Sequence, residues 1–107
     1  MEWQEAREQT LAIWFAIRDN IGKADPLDLL TEINAMCALC EKADEEAGGP
    51  YNRCHYCLFY QQFGGCLAVN AVMSECVVAR DWDRLRVKVE EFIAHLQQLK
   101  LPTEAAT

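Results

Sequence analysis

The sequence predicts an all-α protein: a small bundle of three or four helices, with a cysteine-rich metal-binding loop between helices two and three. Apolar residues recur every three or four positions along most of the chain. Hydrophobic residues make up 51% of the 107 residues, which is enough for one modest core. Glycines and aromatic residues concentrate between residues 48 and 65, which predicts an irregular segment there. We therefore expect residues 1–107 to form a single helical domain with a frayed tail over 102–107.

The first helix is predicted over residues 3 to about 21. Its apolar residues share one helical stripe, formed by Trp3, Leu11, Trp14, Ile17 and Ile21. Gly22 ends this pattern, because glycine readily adopts the positive φ that often closes a helix. The second helix is predicted to begin at Asp25-Pro26, since aspartate is a good N-cap and proline at the first helical position loses no hydrogen bond.

This second helix is expected to carry the first cysteine pair. Its predicted face consists of Leu29, Leu30, Ile33, Met36, Cys37 and Cys40. We expect the helix to fray within residues 42–50, because Gly48-Gly49-Pro50 cannot continue it.

Two further helices follow the irregular segment. From about residue 67 the chain is apolar around most of a helix, which predicts a short and largely buried helix containing Leu67, Val69, Val72, Met73, Cys76 and Val77. Asp81 is the predicted cap of the last helix. There the apolar residues alternate in steps of three and four, as in the seam between two helices: Trp82, Leu85, Val89, Phe92, Leu96 and Leu99. His95 stands beside this seam and is expected at the surface or its boundary.

The cysteines carry the strongest chemical signal. Cys37/Cys40 and Cys54/Cys57 are two Cys-x-x-Cys pairs separated by thirteen residues. In tetrahedral zinc sites each Zn–S bond is about 2.3 Å long, so neighbouring sulfur atoms lie about 3.8 Å apart. Residues three positions apart on a helix project from one face and meet this requirement locally. The sequence therefore predicts a Zn²⁺ site with Cys37, Cys40, Cys54 and Cys57 as ligands.

Other assignments of the cysteines remain open at this point. Cys66 is an alternative ligand in place of Cys54 or Cys57, and His55 is a weaker substitute. The same cysteines also suit an iron–sulfur cluster, or either pair a redox dithiol, or all of them ordinary free thiols. Cys76 lies within an apolar face and is expected in the core, where free cysteine is common.

These observations lead to a functional hypothesis. Four thiolates on one Zn²⁺ leave no open position for water or substrate, so the predicted site is structural. We expect a small cytoplasmic zinc-binding helical protein that acts as a protein–protein interaction module, with an iron–sulfur or dithiol redox protein as the alternative. The partner is another protein or a second copy, contacting helix 82–99 or helix 3–21. Metal removal is expected to disorder residues 44–66 while the helices persist.

Several function classes are disfavoured by composition. The net charge is −7 and Lys and Arg do not cluster, so nucleic acid is an unexpected partner. No signal-peptide pattern or membrane-length apolar run is visible, so we expect no membrane association and a cytoplasmic location, where cysteines serve more often as ligands than in disulfides. No phosphate-binding loop, nucleophile elbow or H-E-x-x-H motif is present, and we do not expect an enzyme.

The aromatic residues around the second cysteine pair have two interpretations. They are Tyr51, Tyr56, Phe59, Tyr60 and Phe63. They either cover the metal site and join the core, which we favour, or form a binding surface for a peptide or an unstacked base. Arg53 is the one cation in this segment, which further disfavours a base.

The order of the cysteines resembles that of small uncharacterised bacterial and phage proteins. In those a C-x-L-C pair is followed by C-x-x-C-P and by a further cysteine after glycine. The corresponding residues here are Cys37, Leu39, Cys40, Cys54, Cys57 and Cys66, over about thirty residues. Leu58 stands where that pattern usually has proline. The resemblance implies a metal-binding cysteine core and supplies no activity.

Overall fold

The computed structural model describes residues 1–35, 37–48 and 56–102, and every regular element within these ranges is a helix. The all-α prediction is therefore confirmed. The predictions for Met36, for Tyr51, Cys54 and His55, and for the tail from residue 103 onward lie outside the described residues. The described helices are α1 (Trp3–Asn20), α2 (Pro26–Asn34), α3 (Ala38–Ala47), α4 (Leu58–Phe63), α5 (Cys66–Val78) and α6 (Trp82–Gln98).

The helix ends predicted from local signals are confirmed at the start of the chain. Helix α1 is followed by Gly22 with a positive φ of 78°. Asp25 caps α2, since its carboxylate accepts a hydrogen bond of 2.8 Å from the backbone N–H of Leu27. Pro26 occupies the first helical position. These signals act within one turn, so the sequence predicts them well.

The prediction of one continuous second helix is wrong, because α2 ends at Asn34 and α3 begins at Ala38. Ala35 and Cys37 both have extended backbone conformations. The side-chain amide of Asn34 donates to the carbonyl of Leu30 at 2.8 Å and to Ser74 Oγ on α5 at 3.0 Å. The break lets α2 pack against α5 while α3 packs against α1. Cys37 is consequently the N-cap of α3 and does not lie inside a helix.

The predicted irregular segment also contains a helix, α4. Phe59 from this helix is buried and packs on Phe92, with ring centroids 4.8 Å apart. The Gln62 side chain holds α4 to the chain just after α6, because it donates to the Lys100 carbonyl at 2.8 Å and accepts from the Lys100 N–H at 2.9 Å. Tertiary contacts therefore stabilise α4, for which the helical repeat of apolar residues gave no prediction.

The last two helices form where the sequence predicts them. Helix α6 buries its seam against α1 and α5 of the same chain, with Leu85, Val89, Phe92, Leu96 and Leu99 all buried. The expectation of a largely buried α5 is wrong, since its buried residues are Met73, Cys76 and Val77. Leu67 near its start and Val78 at its end are 76% and 67% exposed. Cys76 is buried in the core, as predicted.

The faces proposed for pairing with a partner are largely covered within the chain. On α1, Trp14 and Ile17 are buried, as are the seam residues of α6. A partner that uses these helices contacts their outer faces, where Ile13 and Val87 are exposed. None of the described helices is both long enough and apolar enough to cross a membrane.

Removing the cap of α6 is expected to cost about 1 kcal/mol of unfolding free energy. Asp81 accepts a hydrogen bond of 3.2 Å from the Arg84 N–H, and Asp81→Ala leaves that N–H without its side-chain acceptor. Urea denaturation followed by circular dichroism measures the loss. Asp81→Asn keeps a capping oxygen and should stay near wild type, whereas equal losses in both variants would contradict a capping role.

Candidate metal centre

Cys37 and Cys40 meet at the N-terminus of α3. Cys37 is the N-cap and Cys40 the third helical residue, so one turn of backbone brings their side chains together. Their sulfur atoms are 3.8 Å apart. This distance equals the separation of about 3.8 Å between neighbouring thiolates on one tetrahedral zinc ion. The spacing of this pair therefore suits two ligands of one ion, although the pair lies at the start of α3 instead of at the end of a longer helix.

The two thiols differ strongly in acidity. The hydrogen bond from the Cys40 thiol is the main cause that lowers the pKa of Cys37 from 9.0 to about 6. Burial opposes this shift, while the backbone N–H groups of Cys40 and Leu39 and the Thr10 side chain support it. The pKa of Cys40 is raised, first by its hydrogen bond to Cys37 and then by burial. Cys37 is therefore the thiol of the pair that ionises first, and its thiolate accepts the hydrogen bond from Cys40.

Thr10 is a supporting residue that the sequence analysis missed. Within the described ranges it is the one polar residue among the buried positions. Its hydroxyl donates to the Ala6 carbonyl at 2.8 Å and can turn its single proton to the Cys37 thiolate instead, which lowers the pKa of Cys37. The available signal was a hydroxyl residue on the core face of α1, four positions before Trp14. Such a residue needs a polar partner when it is buried.

Two further cysteines face the same space as the pair. Cys57 immediately precedes α4 and is buried, and Cys66 is the first residue of α5. Both line a cavity of about 390 Å³ together with Cys37 and Cys40, which we call the thiol cavity. Their negative charge contributes to the raised pKa of Cys40. The alternative ligand Cys66 thus lines the same cavity as Cys37 and Cys40.

The arrangement favours negative charge on these sulfurs. Cys37 lies at the N-terminus of the ten-residue helix α3, and Cys66 at the N-terminus of the thirteen-residue helix α5. The positive end of a helix dipole stabilises a thiolate and lowers its pKa. Two helices therefore point their positive ends toward one group of thiols.

The described residues do not form a finished site. Among residues 1–35, 37–48 and 56–102, no group of three or more His, Cys, Asp or Glu side chains is arranged to hold a metal ion. The sulfurs of Cys37 and Cys40 have the spacing of two zinc ligands. Cys57 and Cys66 line the same cavity, but neither completes a group of three ligands with this pair. A complete centre thus requires a shift of Cys57 or Cys66 toward the pair, or a ligand from outside these ranges, where Cys54 lies.

Apolar side chains form most of the remaining wall of the thiol cavity. They include Trp14, Ile33, Leu39, Phe59 and Phe92. Trp14 and Phe92 pack on each other with ring centroids 4.5 Å apart. Such walls limit the access of water and strengthen electrostatic interactions between a cation and thiolates.

The aromatic residues divide between core and surface. Phe59 is buried, as expected for a residue that covers the site, whereas Tyr56 and Tyr60 are 46% and 42% exposed. His95 is exposed and stacks on Phe63 with ring centroids 4.5 Å apart, which confirms its surface position.

No family model, curated protein or solved structure matches this chain. The resemblance to bacterial and phage proteins stays a prediction. The class that the fold and the cavity define is a small all-α protein with cysteines gathered at helix N-termini.

The acidity of Cys37 predicts how the metal-free protein reacts with iodoacetamide. The rate at Cys37, followed by peptide mass spectrometry, is expected to rise with pH and to have its midpoint near pH 6, because only the thiolate attacks. Thr10→Val removes one hydrogen bond that lowers the pKa of Cys37, so its midpoint should move to higher pH.

Thr31→Val is the matched control for this measurement. The Thr31 hydroxyl makes the same type of bond to the carbonyl four residues earlier, that of Leu27 at 3.0 Å, but it is exposed on α2. In Thr31→Val the pH midpoint of the Cys37 reaction should equal that of wild type. Identical midpoints in wild type and Thr10→Val would show that Thr10 does not act on the thiolate.

Proposed function

We propose that this chain is a small helical zinc-binding protein whose ion is structural. Cys37, Cys40 and Cys57 supply three thiolates, and Cys66 or Cys54 supplies the fourth. The observation that carries the proposal is the 3.8 Å separation of the Cys37 and Cys40 sulfurs, which matches two ligands of one zinc ion. The presence of Cys57 and Cys66 in the same cavity supports it.

The proposed role of the ion follows from the elements that carry the cysteines. Cys37 and Cys40 belong to α3, which packs on α1, whereas Cys66 belongs to α5, which packs on α2 and α6. One ion bound to both groups links these parts of the bundle. Four thiolates complete the coordination sphere, so no position remains for a substrate, and we propose no catalytic activity.

In this proposal the linked bundle acts through protein–protein contact in the cytoplasm. Reducing conditions there keep the thiols available as ligands. Tyr60 and Leu67 line the thiol cavity and are 42% and 76% exposed, so apolar surface is available beside the site for a protein partner or a second copy.

Elemental analysis of the purified full-length chain tests the proposal. The expected result is a colourless protein with one zinc ion per chain, which loses its metal to a strong chelator while most far-UV dichroism remains, because the core of α1, α5 and α6 is apolar. A protein without bound metal, even after zinc is added under reducing conditions, would overturn it. A brown protein absorbing near 400 nm would instead indicate an iron–sulfur cluster.

A dithiol redox function is the second candidate, because Cys37 and Cys40 have the geometry of a reactive pair. Cys37 is a thiolate at a helix N-terminus and the Cys40 thiol lies 3.8 Å away. Exchange with a small-molecule disulfide would join the two sulfurs at about 2.05 Å. The Cys37 thiolate would attack the small disulfide and displace one thiolate, and the Cys40 sulfur would then displace the second as it gives up its proton. The two cysteines would lose two electrons and the one proton of Cys40, and the small disulfide would leave as one thiol and one thiolate, which takes its proton from solvent. Mass spectrometry of the chain isolated under thiol-blocking conditions distinguishes this outcome from bound zinc.

A further inference from the structure

The thiol cavity has the size and the lining of a binding site for a small organic molecule. Its volume of about 390 Å³ lies within the range of roughly 300–1,000 Å³ that is typical of small-molecule sites. Most of its wall is apolar and offers water few hydrogen bonds. An apolar molecule that enters such a cavity therefore displaces water at little cost.

The buried part of the cavity wall is aromatic. Trp14, Phe59 and Phe92 are all buried and all line the cavity. Phe92 packs on both of the other rings, with its centroid 4.5 Å from that of Trp14 and 4.8 Å from that of Phe59. Aromatic rings attract one another in tilted and offset arrangements at such separations, and a ligand ring extends the same cluster. The wall thus favours an aromatic ligand.

The lining also determines the charge of a suitable ligand. None of the described residues that line the cavity is Asp, Glu, Lys, Arg or His. A charged ligand would therefore lose its hydration there without a salt-bridge partner of these types, which is costly in an apolar site. Cysteine thiols that ionise would add negative charge and repel an anion further. The cavity consequently favours an uncharged molecule and disfavours an anion.

The cavity reaches the surface beside Leu67. The lining includes the exposed residues Ala35, Tyr60, Gly65 and Leu67 as well as the buried aromatic rings. Leu67 is 76% exposed, and it lies at the start of α5 directly after Cys66. A lining that joins exposed and buried residues gives a ligand a path to the aromatic wall without unfolding of the helices.

We propose that the thiol cavity is a binding site for an uncharged aromatic molecule of two or three rings. The ligand enters beside Leu67, packs against the aromatic wall and covers the thiols that line the cavity. This inference goes beyond the proposed function, since it requires neither a metal ion nor a reaction of the cysteines.

A matched pair of fluorescent probes tests the class of ligand. N-phenylnaphthylamine is uncharged, whereas anilinonaphthalene sulfonate has the same rings and one added sulfonate. The full-length protein, as purified under reducing conditions, is expected to bind one N-phenylnaphthylamine per chain with a rise in fluorescence. The sulfonate should bind at least about tenfold more weakly, because its charge is buried without a partner. Equal affinities for the two probes, or no binding of the uncharged one, would overturn the proposal.

Leu67→Asp tests the position of the site. The substitution replaces apolar surface at the entrance with a carboxylate, and it is expected to weaken N-phenylnaphthylamine binding about tenfold or more. Leu27→Asp is the matched control, since Leu27 is 70% exposed on α2, lies outside the cavity lining and undergoes the same change of charge. Its affinity should equal that of wild type. Equal affinities in both variants would place the ligand elsewhere and overturn the proposal.

Alkylation of the cysteines gives a second measure of position. In metal-free protein, N-phenylnaphthylamine at ten times its Kd should slow the reaction of iodoacetamide with Cys37 and Cys66 about tenfold, because only ligand-free molecules react. Peptide mass spectrometry follows each cysteine separately, and Cys76, which lies outside the lining, should keep its rate. Unchanged rates at Cys37 and Cys66 would contradict the proposal. The zinc content of the untreated protein is measured independently, so each of the two hypotheses can fail without the other.

Discussion

In the proposed Cys₄ site, replacing Cys40 with serine is expected to lower the affinity for zinc by roughly two orders of magnitude. Apparent binding free energies of structural zinc are about 10–16 kcal/mol, so each of four thiolates contributes roughly 3 kcal/mol. About 1.4 kcal/mol corresponds to a tenfold change in affinity. Cys40 is chosen because its sulfur is 3.8 Å from that of Cys37, the spacing that two ligands of one ion require. Competition with a chromophoric chelator measures the change.

Cys76→Ala is the matched control for this experiment. Cys76 is 1% exposed and packs in the core. Its replacement should lower stability while leaving one zinc ion per chain. If Cys40→Ser keeps the affinity of wild type, Cys40 is not a ligand.

The same assay assigns the last ligand. Serine variants of Cys54 and Cys66 are expected to differ in zinc affinity. The affinity should fall strongly only when the cysteine that supplies the fourth ligand is replaced. Equal and small losses in both would leave the tetrahedron without a fourth thiolate and contradict the proposed Cys₄ site.

The second large effect is expected from Leu96→Ala, which should lower the free energy of unfolding by about 2–5 kcal/mol. The Leu96 side chain is fully buried on α6, where that helix packs against α1 and α5. Truncation removes its transfer free energy and leaves a cavity between the helices. Urea denaturation, with wild type and variant in the same state of metal loading, measures the difference.

Leu27→Ala provides the matched comparison on a surface helix position. Leu27 is 70% exposed on α2, so its truncation should change stability by no more than about 0.5 kcal/mol. Equal losses in the two variants would show that the stripe of α6 is not the core of this bundle.

Helix positions with local signals were predictable from the sequence. Gly22 follows α1 with a positive φ, and Asp25 and Asp81 cap α2 and α6 through their carboxylates. The alternation of three and four residues in α6 correctly selects its buried face. Each of these features depends on groups within a turn or two of one another, and the local sequence contains all of them.

The break between α2 and α3 was not predictable in this way. The segment from Asn34 to Ala38 contains neither glycine nor proline, and its apolar spacing suits a continuous helix. The hydrogen bond from Asn34 to Ser74, forty positions away, and the separate packing of α2 and α3 determine the break. Helix α4 is a similar case, since its order depends on burying Phe59 against Phe92.

The same distinction between local and tertiary causes applies to the residues of the candidate site. The sequence by itself determined that Cys37 and Cys40 lie together, because residues three positions apart meet within one turn of backbone. Only the tertiary structure decided that Cys57 and Cys66 face the same cavity, with Thr10 hydrogen bonded to Cys37 and Asn70 in the cavity wall. These groups come from separate helices, and the angles and distances at which helices pack depend on all the side chains between them.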